Sequence, residues 1–166
     1  HNALVGVGLR DRIRIGASGK IVTAFDMVRA LALGADWCNS ARGFMFALGC
    51  IQAHSCHTGN CPTGVTTQDP LRQRALDVPT KAQRVFNYHQ QTLHALKELV
   101  QAAGLNHPSE ITAAHIVRRN SEHGVKLLAN LLPFIQPGQL LAGEMPHQVF
   151  RTYWPLARAD SFARAC

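Results

Sequence analysis

Residues 13–43 read IRIGASGKIVTAFDMVRALALGADWCNSARG, and the order of apolar residues and turns in this run decides the fold to expect. Ile13, Ile15 and Ala17 fall on every second residue, which predicts a short buried strand over 13–17. Ser18–Gly19 breaks it, and a helix follows. Thr23 and Asp26 form a capping pair: the threonine hydroxyl accepts from orphan N–H groups, and the aspartate sits at the positive end of the helix. Val28, Leu31 and Ala32 recur at helical spacing until Gly34, a natural stop. Asp36–Asn39 reads as the next strand, and Ser40-Ala41-Arg42-Gly43 as a second turn into a second helix. Strand, helix, strand, helix is the grammar of parallel sheets and of (β/α) barrels. Trp37, Phe44 and Phe46 are assigned to the core, and Cys38 is read as a small buried apolar residue rather than a ligand.

The two turns share a design. Gly16-Ala17-Ser18-Gly19-Lys20 and Asn39-Ser40-Ala41-Arg42-Gly43 each combine small residues with one cation. Glycine lets the backbone approach a ligand closely, and free N–H groups at a helix start attract phosphate. In (β/α)8 barrels a phosphate site is built from the loops after strands 7 and 8. Two consecutive strand-turn-helix units match that design. Lys20 and Arg42 either add charge to it or stand as solvated surface residues.

Downstream lies CIQAHSCHTGNCP, that is Cys50-x5-Cys56-x4-Cys61-Pro62. Three thiolates on one compact loop can grip three corners of an iron–sulfur cubane, and a proline after the last cysteine is a habit of cluster loops. Three ligands suggest a [3Fe–4S] cluster, or a four-iron cluster that needs an outside ligand. Zinc with His54 or His57 as the fourth ligand competes, although zinc cysteines usually arrive as closer pairs. Three unrelated reduced thiols are the remaining reading. The other histidines are scattered, and each reads as a surface or capping residue before it reads as a base.

Past Asp69–Pro70 a polar stretch leads to Pro79. Thr80 and Gln83 fit a capping box for a long helix ending at Gly104, with Val85, Phe86, Leu93, Leu96, Leu99 and Val100 as its apolar face. A short helix from Ser109, extended residues around Ile116–Val117 and a last helix over Gly124–Leu132 follow, before a loose tail beyond Pro155. Cys166 has no evident partner. Two strands and four or five helices do not close a barrel and leave strand edges bare. Either the chain is a helix-rich remnant or the missing strands lie upstream in a longer protein, which the opening His1 in place of Met favours. Bare edges and the Ile13–Ala17 face should then promote self-association.

Bulk composition narrows the function. The chain has 166 residues, 46% hydrophobic and 16% charged, which is globular rather than disordered. No apolar run reaches the roughly 18 residues of a membrane helix, and no secretory pattern opens the chain. The net charge of +7 is scattered, without the basic and aromatic stripe of a nucleic-acid binder, so no nucleic-acid partner is expected. Five cysteines without a secretory signal read as thiols and ligands, and the cytoplasm is the expected compartment.

With both constellations in hand, the run from Gly8 to Gln68, including RIGASGKIVTAFDMVRALALGADWCNSARGFMFALGCIQAHSCHTGNCPTGVTTQ, resembles the FMN-binding synthase domain of glutamate synthases. It looks most like the shorter glutamate-synthase-like FMN proteins, and the likeness continues to about Leu141. The cysteine loop with its HTGNCPTGV continuation is the specific part. The resemblance implies an α/β fold: the carboxy-terminal part of a (β/α)8 TIM barrel, about strands 7 and 8, then an iron–sulfur loop and several helices. On that reading residues 1–49 carry the last β/α units, 50–68 the cluster loop, and 69–166 the trailing helices and tail. It also implies FMN, gripped by Ser18, Gly19 and Lys20 with Ser40, Ala41, Arg42 and Gly43. A [3Fe–4S] cluster falls on Cys50, Cys56 and Cys61. Electrons would come from ferredoxin or a pyridine-nucleotide-dependent partner subunit and form L-glutamate from 2-oxoglutarate and glutamine or ammonia. Barrel strands one to six and the glutamine-hydrolysing domain have no counterpart here, so the chain alone should be catalytically incomplete. An FMN barrel with another substrate and a non-catalytic zinc module are the competing readings.

Overall fold

A computed structural model describes residues 1–163, and Cys166 lies outside them. In chain order the elements are α1 (Asn2–Gly6), β1 (Gly16–Ser18), α2 (Ala24–Ala32), β2 (Trp37–Asn39), α3 (Arg42–Leu48), α4 (Pro70–Gln73), α5 (Val78–Ala102), β3 (Val117–Arg119), β4 (Val125–Leu127), α6 (Leu128–Leu131) and α7 (Gln148–Tyr153), with short 3-10 turns between them. This is a small mixed α/β arrangement, rich in helix and poor in strand. Its contacts group residues as Gly16–Ile111 in one unit, and His1–Ile15 with the residues from Thr112 on in another.

In the first unit β1 and β2 pair in parallel, Gly16 opposite Trp37, Ala17 opposite Cys38 and Ser18 opposite Asn39. A parallel pair needs a crossover, and α2 supplies it. Thr23 and Asp26 form the expected capping box: Asp26 N–H donates to Thr23 Oγ1 at 3.3 Å and Thr23 N–H to Asp26 Oδ2 at 3.0 Å. Gly34, at φ +99, follows the last turn, and Ala35 N–H returns to Ala30 O at 3.1 Å, a Schellman closure. The strand expected over 13–17 begins three residues later, because pairing with β2 starts only at Gly16, and Ile13 is 43% exposed. Trp37 departs from expectation too. It lies 48% exposed across Gly16, where a side chain on Gly16 would strike the indole. The inward pair is Ala17 and Cys38, both half-buried, and burial raises the Cys38 thiol above its ordinary value.

Helix α5 starts earlier than its anticipated box. Asp77 is the N-cap, accepting from Thr80 N–H at 3.1 Å, and Pro79 occupies a first-turn position where no N–H is needed. Gln83 bonds instead to Asn87 Oδ1 at 2.8 Å. The helix ends as expected, at Gly104 with φ +73. Its covered face runs through Val85, Tyr88, Thr92, Leu96, Leu99 and Val100, while Phe86 and Leu93 lie 57% and 41% exposed. Ile21, Ala24 and Ala32 join Leu96, Val100 and Ile111 in the buried set of this unit, where α5 packs on α2 and α3.

The second unit buries Ile116, Leu128, Ile135 and Leu140. Its α1 is tied to the later chain by Leu140 N–H to Gly6 O at 3.0 Å and Gly138 N–H to Val5 O at 3.1 Å. The helix anticipated over 124–132 is half strand. Val117–Arg119 and Val125–Leu127 pair antiparallel, so a tertiary partner overrides the helix-forming Lys-Leu-Leu-Ala run until Leu128.

Candidate cofactor site

Parallel strands place their carboxy-terminal ends at one edge, and both small-residue turns therefore open on the same side of β1 and β2. The first passes through Gly19 at φ +94 and Lys20 at φ +57, two consecutive left-handed residues. A non-glycine residue pays about 1–2 kcal/mol there, so Lys20 is held by its surroundings rather than by preference. A side chain on Gly19 would meet nothing within 4 Å, which leaves open space above the turn. The second turn enters α3 at Ala41, and no side chain caps that helix start.

A cavity of about 400 Å³ lies between the turns, within the usual range of ligand pockets. Of the anticipated residues Ser18, Gly19, Lys20, Ala41 and Arg42 line it, and so do Cys50 and Cys56. Among the described residues no carboxylate pairs with Lys20 or Arg42. Ser40 and Gly43 lie behind the wall. Ser40 Oγ donates to Ile21 O at 2.7 Å, and Gly43 is buried against Tyr88.

Cys50 is positioned by the end of α3. Gly49 takes φ +108 and stops the helix, and Cys50 N–H then donates to Met45 O at 2.9 Å. Lys81 and Arg84, one turn apart on α5, stand over this junction, and Arg84 Nη2 lies 3.5 Å from Phe46 O. Cations at a helix carboxy terminus complement its exposed carbonyls. Gln52 and His54 adopt φ +58 and +56, so the loop that follows holds two more non-glycine residues in the left-handed region. Cys56 opens a 3-10 turn through Thr58, which Gly59 ends, and Thr58 Oγ1 donates back to Ser55 O at 2.8 Å.

All three cysteines of the loop line one small cavity of about 20 Å³. Met45, Cys50, His54 and Cys56 line both this cavity and the larger one, so the two share a wall. The Thr63 hydroxyl lies 3.5 Å from the Cys61 sulfur and, with the Thr66 backbone behind it, draws the thiol down to about 6. Cys61 is a buried free cysteine, and these neighbours favour its thiolate form. Thr66 Oγ1, on the same wall, is buried without a hydrogen-bond partner. Among the described residues no three His, Cys, Asp or Glu side chains converge to hold a single metal ion.

Sequence reasoning passed over Tyr88, Lys81 and Arg84. The available signal was a lone tyrosine on the apolar face of a long helix, since a covered phenol needs a partner for its hydroxyl.

Comparison with known proteins gives these residues a context. A family model described as a conserved region in glutamate synthase matches residues 1–106. A glutamate synthase large subunit-like protein of Bacillus subtilis, YerD, is 46% identical over 125 residues, covering 75% of this chain and 24% of that protein. The archaeal glutamate synthase [NADPH] of Methanocaldococcus jannaschii is 43% identical over 99 residues, covering 60% and 19%. Ferredoxin-dependent glutamate synthase 2 of Synechocystis is 39% identical over 97 residues, covering 58% and 6%. The chain thus spans no more than a quarter of these relatives. No described helix is long and apolar enough to cross a membrane.

Proposed function

The chain belongs to the glutamate synthase family, and from that premise we propose that it supplies the flavin-phosphate and cluster region of a glutamate-synthase-type oxidoreductase. In this reading β1 and β2 are about strands 7 and 8 of a (β/α)8 barrel whose other strands belong to the longer protein. The parallel pair, its helical crossover and two turns at one strand edge are what a barrel's phosphate corner requires.

One observation carries the reading. Both turns and two of the three cysteines line a single cavity, and all three cysteines line the cavity next to it. Lys20 and Arg42 offer unpaired positive charge to a phosphate, and Gly19 keeps the backbone above it open. Cys50, Cys56 and Cys61 would hold the cluster. The donor chemistry fits: three cysteines line one cavity, Cys61 among them buried beside the Thr63 hydroxyl, and Thr66 of the same wall carries a buried hydroxyl without a partner. A hydrogen bond from the Thr63 hydroxyl to sulfur would tune the reduction potential.

When bound, FMN and a [3Fe–4S] cluster supply the electron transfer that converts 2-oxoglutarate and glutamine-derived or free ammonia into L-glutamate. Relatives are named for NADPH and for ferredoxin, so the donor class is one of those two.

The test is Cys56→Ser in the full-length protein, with iron and flavin measured on one preparation. Loss of iron with flavin retained is expected. Full iron retention removes Cys56 from the ligand set, and a colourless wild type with one zinc per chain overturns the cluster.

A further inference from the structure

Helix α5 follows the cysteine loop in sequence, yet one of its side chains reaches back to both turns of the larger cavity. Tyr88 donates its phenolic hydrogen to Val22 O at 2.7 Å, just behind the first turn. Ser40, at the entrance to the second turn, donates to Ile21 O at 2.7 Å. The two hydroxyl oxygens lie 3.3 Å apart. Each hydroxyl has one hydrogen, and both are committed to carbonyls, so the two oxygens meet without a third strong bond between them. Two adjacent carbonyls on the first turn's exit are thus held by one hydroxyl from α5 and one from the second turn.

The surroundings leave Tyr88 little freedom. Phe44 meets its ring edge-on, with centroids 5.1 Å apart and planes at 85°. Gly43 forms the floor: any side chain there would collide with the tyrosine hydroxyl and with Ser40 Oγ. This gives Gly43 a second reason to be glycine, independent of any phosphate. It lets the phenol reach across the second turn to the first.

We infer that Tyr88 is a positioning residue for the phosphate grip. By tying Val22 while standing on Gly43, it sets the separation of the two turns before any ligand arrives. Preorganisation of this kind appears in affinity because the ordering is done in advance. The inference rests on the reading that this cavity takes a flavin phosphate.

The experiment measures Kd for FMN and for riboflavin, by flavin fluorescence, in the apo form of the full-length protein. Tyr88→Phe keeps the ring and its contact with Phe44 and removes only the hydroxyl. FMN should bind about five-fold more weakly, the equivalent of one hydrogen bond worth about 1 kcal/mol, while riboflavin, which has no phosphate, stays unchanged. A merely structural tyrosine would weaken both flavins together, and that outcome overturns the inference. So does an unchanged FMN affinity. A Lys20→Ala, Arg42→Ala double variant separates the two levels of argument. If it abolishes the preference for FMN over riboflavin while Tyr88→Phe leaves it intact, the inference fails and the phosphate reading stands. If the double variant keeps the full preference, the phosphate reading fails and takes the inference with it.

Discussion

Replacing Gly49 with alanine should loosen the first cysteine of the loop, the proposed ligand Cys50, without touching any thiol. Gly49 ends α3 at φ +108, and that left-handed turn lets Cys50 N–H close back onto Met45 O at 2.9 Å. An alanine Cβ would lie 3.0 Å from Lys81 Nζ and 3.9 Å from Arg84 Nη1. Both are ends of flexible side chains, so the steric part is cheap and the backbone part dominates. A left-handed L-residue costs roughly 1–2 kcal/mol, and +108° is well past the optimum near +57°, which points to the upper end. Such a loss multiplies local opening about 5- to 30-fold. Hydrogen exchange of the Cys50 amide in the full-length protein should accelerate by that factor, and iron per flavin should fall. Gly104→Ala is the control, at φ +73 with nothing within 4 Å: Leu105 should lose protection there while Cys50 keeps it. Unchanged exchange at Cys50 and unchanged iron in Gly49→Ala would refute the idea that this backbone turn positions Cys50 as a ligand.

Other expectations follow from the same geometry. Gly19→Val should weaken FMN binding while leaving exchange in α2 unchanged, because the space above the turn is open and only its left-handed backbone resists; unaltered affinity would exclude this turn from the phosphate grip. Thr23→Ala should cost α2 about 1 kcal/mol of local stability, read as exchange of its first-turn amides. Thr23 N–H, first among several donors, holds the Asp26 carboxyl below its ordinary 3.8. Because the folded value is the lower one, this contribution is full above pH 4 and fades as pH falls through the folded value. Asp26→Asn should therefore flatten the acid limb of α2 exchange, and a limb of unchanged slope would show that another group sets it. Residues 1–166 alone should form no glutamate from 2-oxoglutarate, ammonia and a reduced donor, since two strands leave a flavin ring without walls; production above background would overturn the reading that the barrel's remaining strands are needed.

Features written within a few residues of one another were legible. The Thr23–Asp26 box and the stops at Gly34 and Gly104 depend on bonds that close over three to five positions, where residue type alone carries the preference. Even there, competition between neighbours misled: Asp77 caps α5 ahead of Thr80, because its carboxylate accepts the Thr80 N–H and so satisfies the first turn sooner. Extended residues around Ile116–Val117 were anticipated and the strand is Val117–Arg119, but its partner at 125–127 was not foreseen. A helix-forming run becomes strand only when another chain segment offers it hydrogen bonds.

The site divides along the same line. The sequence alone determined which residues could grip a phosphate or a cluster, because glycine, cation and thiol chemistry belongs to the residue wherever it stands. Only the tertiary structure decided that Ser18–Lys20, Ala41–Arg42, Cys50 and Cys56 share one cavity, that Gly43 faces Tyr88, and that Trp37 covers Gly16 instead of entering the core. The bond from Tyr88 to Val22 spans 66 residues and its contact with Ser40 spans 48. No periodicity encodes contacts at such separations. They exist because α5 packs across α2 and α3, and that packing depends on the summed burial of many side chains.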